Sequence, residues 1–99
     1  MKRYRDRLSF FIWLRDIVDK LEFKHNVTME EVEETLNNKP KFRFVEKGKR
    51  KGEDVYMALG RADSGTPLSI LFIYKKTKEA FILSARDMAG KERKQYGKK

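Results

Sequence analysis

Residues 68–85 have the sequence LSILFIYKKTKEAFILSA, and this stretch decides the fold class. Residues 68–74 are apolar at almost every position, and residues 80–85 form a second, mostly apolar run. The charged segment 75–79 between them predicts a turn, so the two runs form an antiparallel hairpin. Because residues 68–74 are apolar on both sides of a strand, we expect that strand to be central and covered on both faces.

Two further strands are predicted upstream, over residues 54–61 and 41–46. The latter run alternates Phe42 and Phe44 with charged residues, which is typical of an edge strand. Short polar loops separate the predicted strands, and loops of this length favour an antiparallel meander of four strands.

The N-terminal part predicts an early strand followed by a helix. Residues 8–14 are apolar and β-rich, whereas in residues 15–24 the apolar positions recur at helical spacing. The chain therefore changes from strand to helix near Arg15.

A second helix is predicted over residues 29–37. Thr28 and Glu31 have the spacing of a capping box, and Val27 with Val32 has that of a hydrophobic staple. The buried stripe of this helix is expected to include Met29, Val32 and Leu36.

Ser84 and Asp87 have the same capping spacing and predict a C-terminal helix that runs through Tyr96. The predicted order is strand, two helices, four strands, helix. This is an α+β fold with its helices on one face of the sheet.

Length and composition exclude several classes of protein. The chain has 99 residues, so residues 1–99 are expected to form a single domain. It has no cysteine, which excludes disulfides, a thiolate nucleophile and a cysteine-based zinc site. The apolar run at 8–14 is too short for a signal peptide or a membrane span. These features indicate a cytoplasmic protein with no membrane partner.

The net charge of +9 is unevenly distributed. Residues 1–38 hold seven basic and eight acidic residues, whereas residues 39–99 hold seventeen basic and seven acidic ones. A neutral first third joined to a strongly basic remainder suggests a face that binds a polyanion, either nucleic acid or an acidic protein. A solvated surface with no partner is the alternative interpretation.

The side chains favour cation chemistry over metal chemistry. His25 is the only histidine, and no cofactor motif is present, so neither a metal nor a cofactor is expected. The candidate cations are at predicted strand ends, on the last helix and in a loop: Arg61, Arg86, Arg93, Lys49, Arg50 and Lys51. Converging guanidinium groups would bind phosphates and stabilise the phosphorane formed when a ribose 2′-OH attacks its own 3′-phosphate.

That reaction also needs proton transfer, for which the available groups are Glu53, Glu92, Tyr96 and His25. The sequence leaves the choice among them open. Each group also has a structural interpretation, since His25 suits a helix end and Glu92 with Tyr96 suits an i,i+4 pair.

Several short motifs, in a fixed order, resemble the BrnT family of type II toxins. They are Phe11-x-Trp13, Lys24-His25-x-Val27-Thr28-x-Glu30-Glu31, Gly52-Glu53, Gly60-Arg61, Ser84-Ala85-Arg86, and Glu92 with Tyr96. The resemblance implies a RelE-like fold and an RNA substrate cleaved without metal. It also implies a cognate antitoxin that binds DNA, neutralises the toxin and forms a hetero-oligomer with it.

Carried over by residue, the resemblance makes Arg61 and Arg86 phosphate-binding or transition-state cations. It makes Glu53 and Glu92 proton carriers or orienting groups, and Lys24, His25 and Tyr96 residues that line the site. Where family members often have a second arginine after Ser-Ala-Arg, this chain has Asp87. We therefore expect Asp87 to be able to pair with Arg86 and weaken activity.

Two functions follow as hypotheses. The first is an endoribonuclease toxin that inhibits translation by cutting RNA through 2′-OH attack. The second is a non-catalytic basic module that binds nucleic acid or protein with the same cations.

Overall fold

A computed structural model describes residues 10–48 and 52–97, and it has the mixed α+β architecture that the sequence predicts. In chain order the elements are β1 (Phe10–Ile12), α1 (Arg15–Lys20), which continues directly as a π-helix (Leu21–His25), α2 (Met29–Asn37), β2 (Lys41–Glu46), β3 (Val55–Arg61), β4 (Pro67–Tyr74), β5 (Glu79–Asp87) and α3 (Gly90–Gly97).

These strands form one five-stranded sheet in the order β1-β5-β4-β3-β2. The predicted meander is confirmed, because β2, β3, β4 and β5 pair antiparallel in succession. The central place of β4 and the edge place of β2 are confirmed as well. The early strand joins the same sheet as a fifth strand, parallel to β5, with Phe10 opposite Glu79.

The sheet has two different faces. Ala58, Ile70 and Ala85 are opposite one another in the register and lie on what we call the core face. The helical segment 15–25 and α2 pack on this face, and their buried side chains Leu21, Val32 and Leu36, with Val27 from the connection between them, join one apolar cluster with it. We call the other side the α3 face, because α3 packs there.

The N-terminus of α2 is formed as its sequence predicts. The Thr28 hydroxyl accepts from the Glu31 backbone N–H at 3.1 Å, and the Glu31 carboxylate accepts from the Thr28 N–H at 3.0 Å. Val27 and Val32 are both buried, as a hydrophobic staple requires. The helix spans the predicted residues, although Met29 at its start is only half-buried.

The prediction for the C-terminal helix is wrong in its start and in its place. Ser84 and Asp87 belong to β5, where they are opposite Leu71 and Leu68 of β4. Sheet pairing therefore takes precedence over their capping spacing. The helix begins at Gly90, and it packs on the face opposite the other helices rather than on the same one.

A second difference is the π-helix that ends the first helical segment. It closes at Asn26, whose φ of 53° is left-handed, and the Asn26 N–H donates to the Leu21 carbonyl. Asparagine tolerates this conformation better than most residues. This wider turn was not predicted from the sequence.

Gly60 of β3 packs closely against Thr35 of α2 and against Pro40, which precedes β2. A Cβ at this position would lie 2.9 Å from the Pro40 Cβ and 3.0 Å from the Thr35 Cγ2. We expect Gly60→Ala to lower the free energy of unfolding by about 1–3 kcal/mol, since packed neighbours must move. Gly90→Ala is the matched control, because nothing lies within 4 Å of its added Cβ. Urea denaturation measures both, and equal stability of the two variants would contradict the packing described here.

Candidate functional site

A row of residues crosses four strands on the α3 face. Lys41 is opposite Leu59, Leu59 is opposite Ser69, and Ser69 is opposite Arg86. Paired residues of a sheet point to the same side, so these four side chains face α3. Arg61 lies two residues beyond Leu59 and faces the same way. The α3 face therefore carries cations from three strands.

Arg86 and Glu92 form a bidentate ion pair on this face. Arg86 Nη1 lies 2.8 Å from Glu92 Oε1, and Nη2 lies 2.7 Å from Oε2. Glu92 Oε1 also accepts from the Ala89 backbone N–H at 2.8 Å, and Oε2 accepts from the Ser69 hydroxyl at 3.4 Å. The carboxylate is 11 % exposed and the guanidinium-bearing side chain 40 % exposed. Glu92 therefore holds the Arg86 guanidinium in a fixed position. Part of the Arg86 side chain remains exposed to solvent.

These contacts move both pKa values in the direction that keeps the pair charged. The hydrogen bond from Arg86 lowers the pKa of Glu92, helped by the Ala89 N–H, while burial opposes it. The same hydrogen bond to Glu92 raises the pKa of Arg86. Glu92 is consequently an anion at neutral pH, and it suits the positioning of a cation better than the transfer of a proton.

Tyr96 lies between two cations of neighbouring strands. Its ring centroid is 5.8 Å from the Arg61 Cζ and 5.8 Å from the Lys41 Nζ. Arg61 also donates from Nη1 to the Gly65 carbonyl at 3.1 Å. Both distances to the ring are within the range of a cation–π contact, which orients a guanidinium without neutralising it.

The helix α3 carries both Glu92 and Tyr96, so it joins the Arg86–Glu92 ion pair to the contacts of Tyr96. Glu92 and Tyr96 are one helical turn apart, so they lie on the same side of α3, towards the sheet. Arg43 of β2 extends the contact by donating to the Gln95 amide oxygen at 2.6 Å. Beside this contact is an open depression of about 700 Å³, lined by Arg43, Ala89, Gly90, Lys91, Glu92, Lys94 and Gln95.

The structure places four predicted site residues on the α3 face: Arg61, Arg86, Glu92 and Tyr96. Arg61 and Arg86 do not end neighbouring strands, however, because β4 separates β3 from β5. With about 5 Å between adjacent strands, their backbones are on the order of 10 Å apart. They flank the site rather than share one phosphate.

Asp87 has a different place from the one expected. The residue that pairs with Arg86 is Glu92, and Asp87 contributes its backbone carbonyl, which accepts from Arg86 Nη1 at 3.1 Å. Asp87 is opposite Leu68 in the register, so its side chain points to the core face. The structure thus gives Arg86 a carboxylate partner, but from the helix rather than from the next residue.

Glu53 is not brought together with the arginines. It precedes β3, whereas Arg61 ends that strand, and a seven-residue strand separates them by roughly 20 Å. Glu53 pairs instead with Lys75 at 3.4 Å. The geometry therefore gives Glu53 the place of a partly exposed ion-pair partner.

His25 is likewise distant from Arg86. It ends the π-helix, which packs on the core face, and its side chain is exposed. Arg93 lies on α3 but donates from Nε to the Met88 carbonyl at 3.3 Å. Lys49, Arg50 and Lys51, and the side chain of Lys24, lie outside what the structure describes.

Ser69, Lys41 and Arg43 belong to the site but were not predicted as site residues. Ser69 is a single hydroxyl within the apolar run 68–74, and it is buried. That isolated polar residue was the available signal, because a buried hydroxyl requires a hydrogen-bond partner. The alternation of residues 41–46 predicts an edge strand, but it does not indicate that Lys41 and Arg43 belong to a binding surface.

Residues 10–48 and 52–97 contain no group of three or more histidine, aspartate or glutamate side chains placed to hold a metal ion. No helix among them has the length and apolar character needed to cross a membrane.

Comparison with known proteins assigns no family, because no family model matches the chain and no curated protein matches its sequence. The site offers guanidinium and ammonium groups, one fixed carboxylate and one phenol on a partly open surface. Such a set can bind adjacent phosphates and stabilise negative charge that develops on one of them.

Proposed function

We propose that this protein is a metal-independent endoribonuclease, of the kind found in BrnT toxins with a RelE-like fold. The observation that carries the proposal is the α3 face, where Arg86 is held rigidly by Glu92 while Arg61 and Lys41 flank Tyr96. Preoriented cations of this kind stabilise a phosphorane without reorganising during the reaction.

In the proposed reaction the ribose 2′ oxygen attacks the adjacent phosphorus, and the bond from phosphorus to the 5′ oxygen breaks. The products are a 2′,3′-cyclic phosphate and a free 5′-hydroxyl. Arg86 lies against the non-bridging oxygens, and Arg61 and Lys41 bind the neighbouring phosphates. Tyr96 supplies a proton to the leaving 5′ oxygen, and the 2′ proton passes to a solvent base.

Glu92 acts in this proposal as a positioning residue. Its lowered pKa keeps it ionised, so it holds Arg86 by two hydrogen bonds and does not carry the proton itself. The rotamer freedom of Arg86 is removed before substrate arrives, and its remaining exposed surface contacts the phosphate.

The proposed reaction also implies where the protein acts in the cell and which partner it requires. A chain that cuts RNA and inhibits translation acts in the cytoplasm and must be neutralised in the cell that makes it. A cognate antitoxin of complementary charge would cover the cationic α3 face and form a hetero-oligomer with the toxin.

A non-catalytic basic module that binds nucleic acid or protein is the second candidate. The observation that favours it is the Arg86–Glu92 pair, because a phosphate must compete with a carboxylate that is already bidentate. In this case Arg61, Lys41 and Arg43 hold phosphates and no bond is cut. A well-folded protein that binds RNA and leaves it intact would identify the module.

Induced expression in a bacterial host tests the toxin proposal. Wild-type protein is expected to stop growth and protein synthesis, and Arg61→Ala is expected to relieve the arrest at equal protein level. Arg15→Ala is the matched control, since Arg15 begins α1, outside the site. Unchanged toxicity of Arg61→Ala would contradict the role given to Arg61.

Tyr96→Phe separates the two contributions proposed for Tyr96. Phenylalanine keeps the ring between Arg61 and Lys41 but removes the hydroxyl proton. We expect RNA cleavage to slow at least about tenfold, as loss of a general acid requires, with little change in RNA affinity. Full cleavage by Tyr96→Phe, measured with a labelled oligonucleotide, would leave Tyr96 only the cation–π contact.

A further inference from the structure

The strand β2 forms an exposed edge of the sheet. All six of its residues are exposed, and among the described residues β3 is the strand that pairs with it. Phe44 is 54 % and Val45 43 % exposed, which is high for large apolar side chains. An edge strand presents backbone N–H and C=O groups along its outer side, and these can pair with an added strand.

Side chains of β2 alternate between apolar and cationic. Phe42 and Phe44 are opposite Ala58 and Tyr56 and lie on the core face, where Phe44 packs edge-on against Tyr56 at 5.9 Å. Lys41 and Arg43 lie on the α3 face. Arg43 contacts a neutral amide, that of Gln95, so this contact leaves its charge uncompensated.

From this alternation we infer that the edge of β2 binds an extended segment of a partner protein, with acidic and apolar residues in alternation. Its backbone continues the sheet beyond β2. Its apolar side chains lie beside Phe42 and Phe44, and its carboxylates lie opposite Arg43 and Lys41. The register shift between Phe44 and Glu46 limits the paired segment to the first four residues of β2. The inference stands whether or not the protein cuts RNA.

Two other occupants fit this edge less well. A second copy paired antiparallel through β2 would bring Lys41 and Arg43 against the same cations, in a chain that already carries +9. A nucleic acid stacked on Phe42 and Phe44 would lie on the core face, away from the cations of β2 on the other side. An extended polypeptide reaches both faces at once, because its side chains alternate.

The test uses the full-length protein and two short peptides, one alternating valine with glutamate and one alternating valine with lysine. We expect the glutamate peptide to bind about tenfold more tightly, to shift the NMR signals of β2 and to slow its amide exchange. Arg43→Glu should remove that preference, and Phe44→Ala should weaken both complexes. Lys20→Glu at the exposed end of α1, which packs against β5 and not β2, is the control and should leave the preference unchanged.

Equal binding of the two peptides would overturn the proposal, as would shifts confined to α3. An unstructured polyuridine oligonucleotide provides the last arm of the test. If it shifts the ring signals of Phe42 and Phe44 on the core face, the edge belongs to nucleic acid instead. If it shifts only the residues of the α3 face, while the glutamate peptide shifts both rings, the protein partner is supported.

Discussion

Arg86→Ala is expected to slow RNA cleavage by about 100- to 1000-fold, the loss seen when one preoriented group that stabilises the transition state is removed. The physical reason is the bidentate contact with Glu92, which presents the guanidinium in one orientation. Arg86→Lys keeps the positive charge but has no planar fork, so we expect it to recover only a small part of the rate. Single-turnover cleavage of a labelled RNA measures both variants.

Removal of Arg86 alone leaves the Glu92 carboxylate buried without its cation, so stability must be followed as well. The double variant Arg86→Ala with Glu92→Gln removes both charges and leaves no unpaired carboxylate buried. We therefore expect it to stay folded, so that its cleavage rate can be measured. Arg93→Ala is the matched control. Arg93 lies on α3 next to Glu92, and its guanidinium donates to the Met88 carbonyl. Full cleavage by a folded Arg86→Ala protein, or an equal loss in Arg93→Ala, would contradict the role of Arg86.

Glu92→Gln is expected to lower both stability and activity. Glutamine preserves the shape of the side chain but leaves Arg86 without a counter-charge and weakens the cap on the Ala89 N–H. Because Arg86 is 40 % exposed and water replaces part of the lost interaction, we expect a loss of about 1–2 kcal/mol in the free energy of unfolding. Activity falls with it, since Arg86 is no longer held in position.

The pH dependence of this loss has a definite sign. The pKa of Glu92 is lower in the folded protein than in the unfolded chain, so its contribution is fully present above the ordinary pKa of a glutamate in the unfolded chain. That contribution is lost as the pH falls through the lowered pKa of the folded state. Denaturation curves of wild type and Glu92→Gln should therefore differ at pH 7 and converge in acid.

Asp87→Asn is the matched control for Glu92→Gln. It also removes one carboxylate next to Arg86 in sequence, but Arg86 contacts Asp87 through the backbone carbonyl, which asparagine retains. We expect its stability and activity to remain close to those of the wild type. If instead Asp87→Asn raised the activity severalfold, Asp87 would be the residue that weakens Arg86, and the interpretation of the Arg86–Glu92 pair would be wrong.

Elements with strong local signals were predicted well from the sequence. The capping box and staple of α2 act within a few residues, so the bounds of that helix were correct. The apolar run in β4 reflects its central place in the sheet, although Leu71 and Ile73 on the α3 face are only half-buried. The alternation in β2 reflects its place at the exposed edge. The start of α3 was wrong because the signal at Ser84 is local, whereas the pairing of Ser84 with Leu71 is not.

The site was predictable in its residue types but not in its contacts. Arginines and a tyrosine in a basic segment indicated cation chemistry. Two of the arginines, the tyrosine and one carboxylate lie on the α3 face: Arg61, Arg86, Tyr96 and Glu92. The partner of Arg86 was not visible, since it depends on where α3 packs against the sheet. The separation of Glu53 from Arg61 was implicit in the predicted strand 54–61, which places the two residues at its opposite ends. Ser69 joins the site only through the register of β4 with β5.

The most direct test of the central claim is cleavage of RNA by the purified chain in EDTA, with the ends of the products identified. A matched RNA carrying a single 2′-deoxy nucleotide at the cleaved position is the control substrate. We predict cleavage of the all-ribose RNA to 2′,3′-cyclic phosphate and 5′-hydroxyl ends, and no cleavage at the deoxy position. Cleavage that requires a divalent metal, or that proceeds at the deoxy nucleotide, would contradict attack by the 2′-OH on a phosphate held by Arg86.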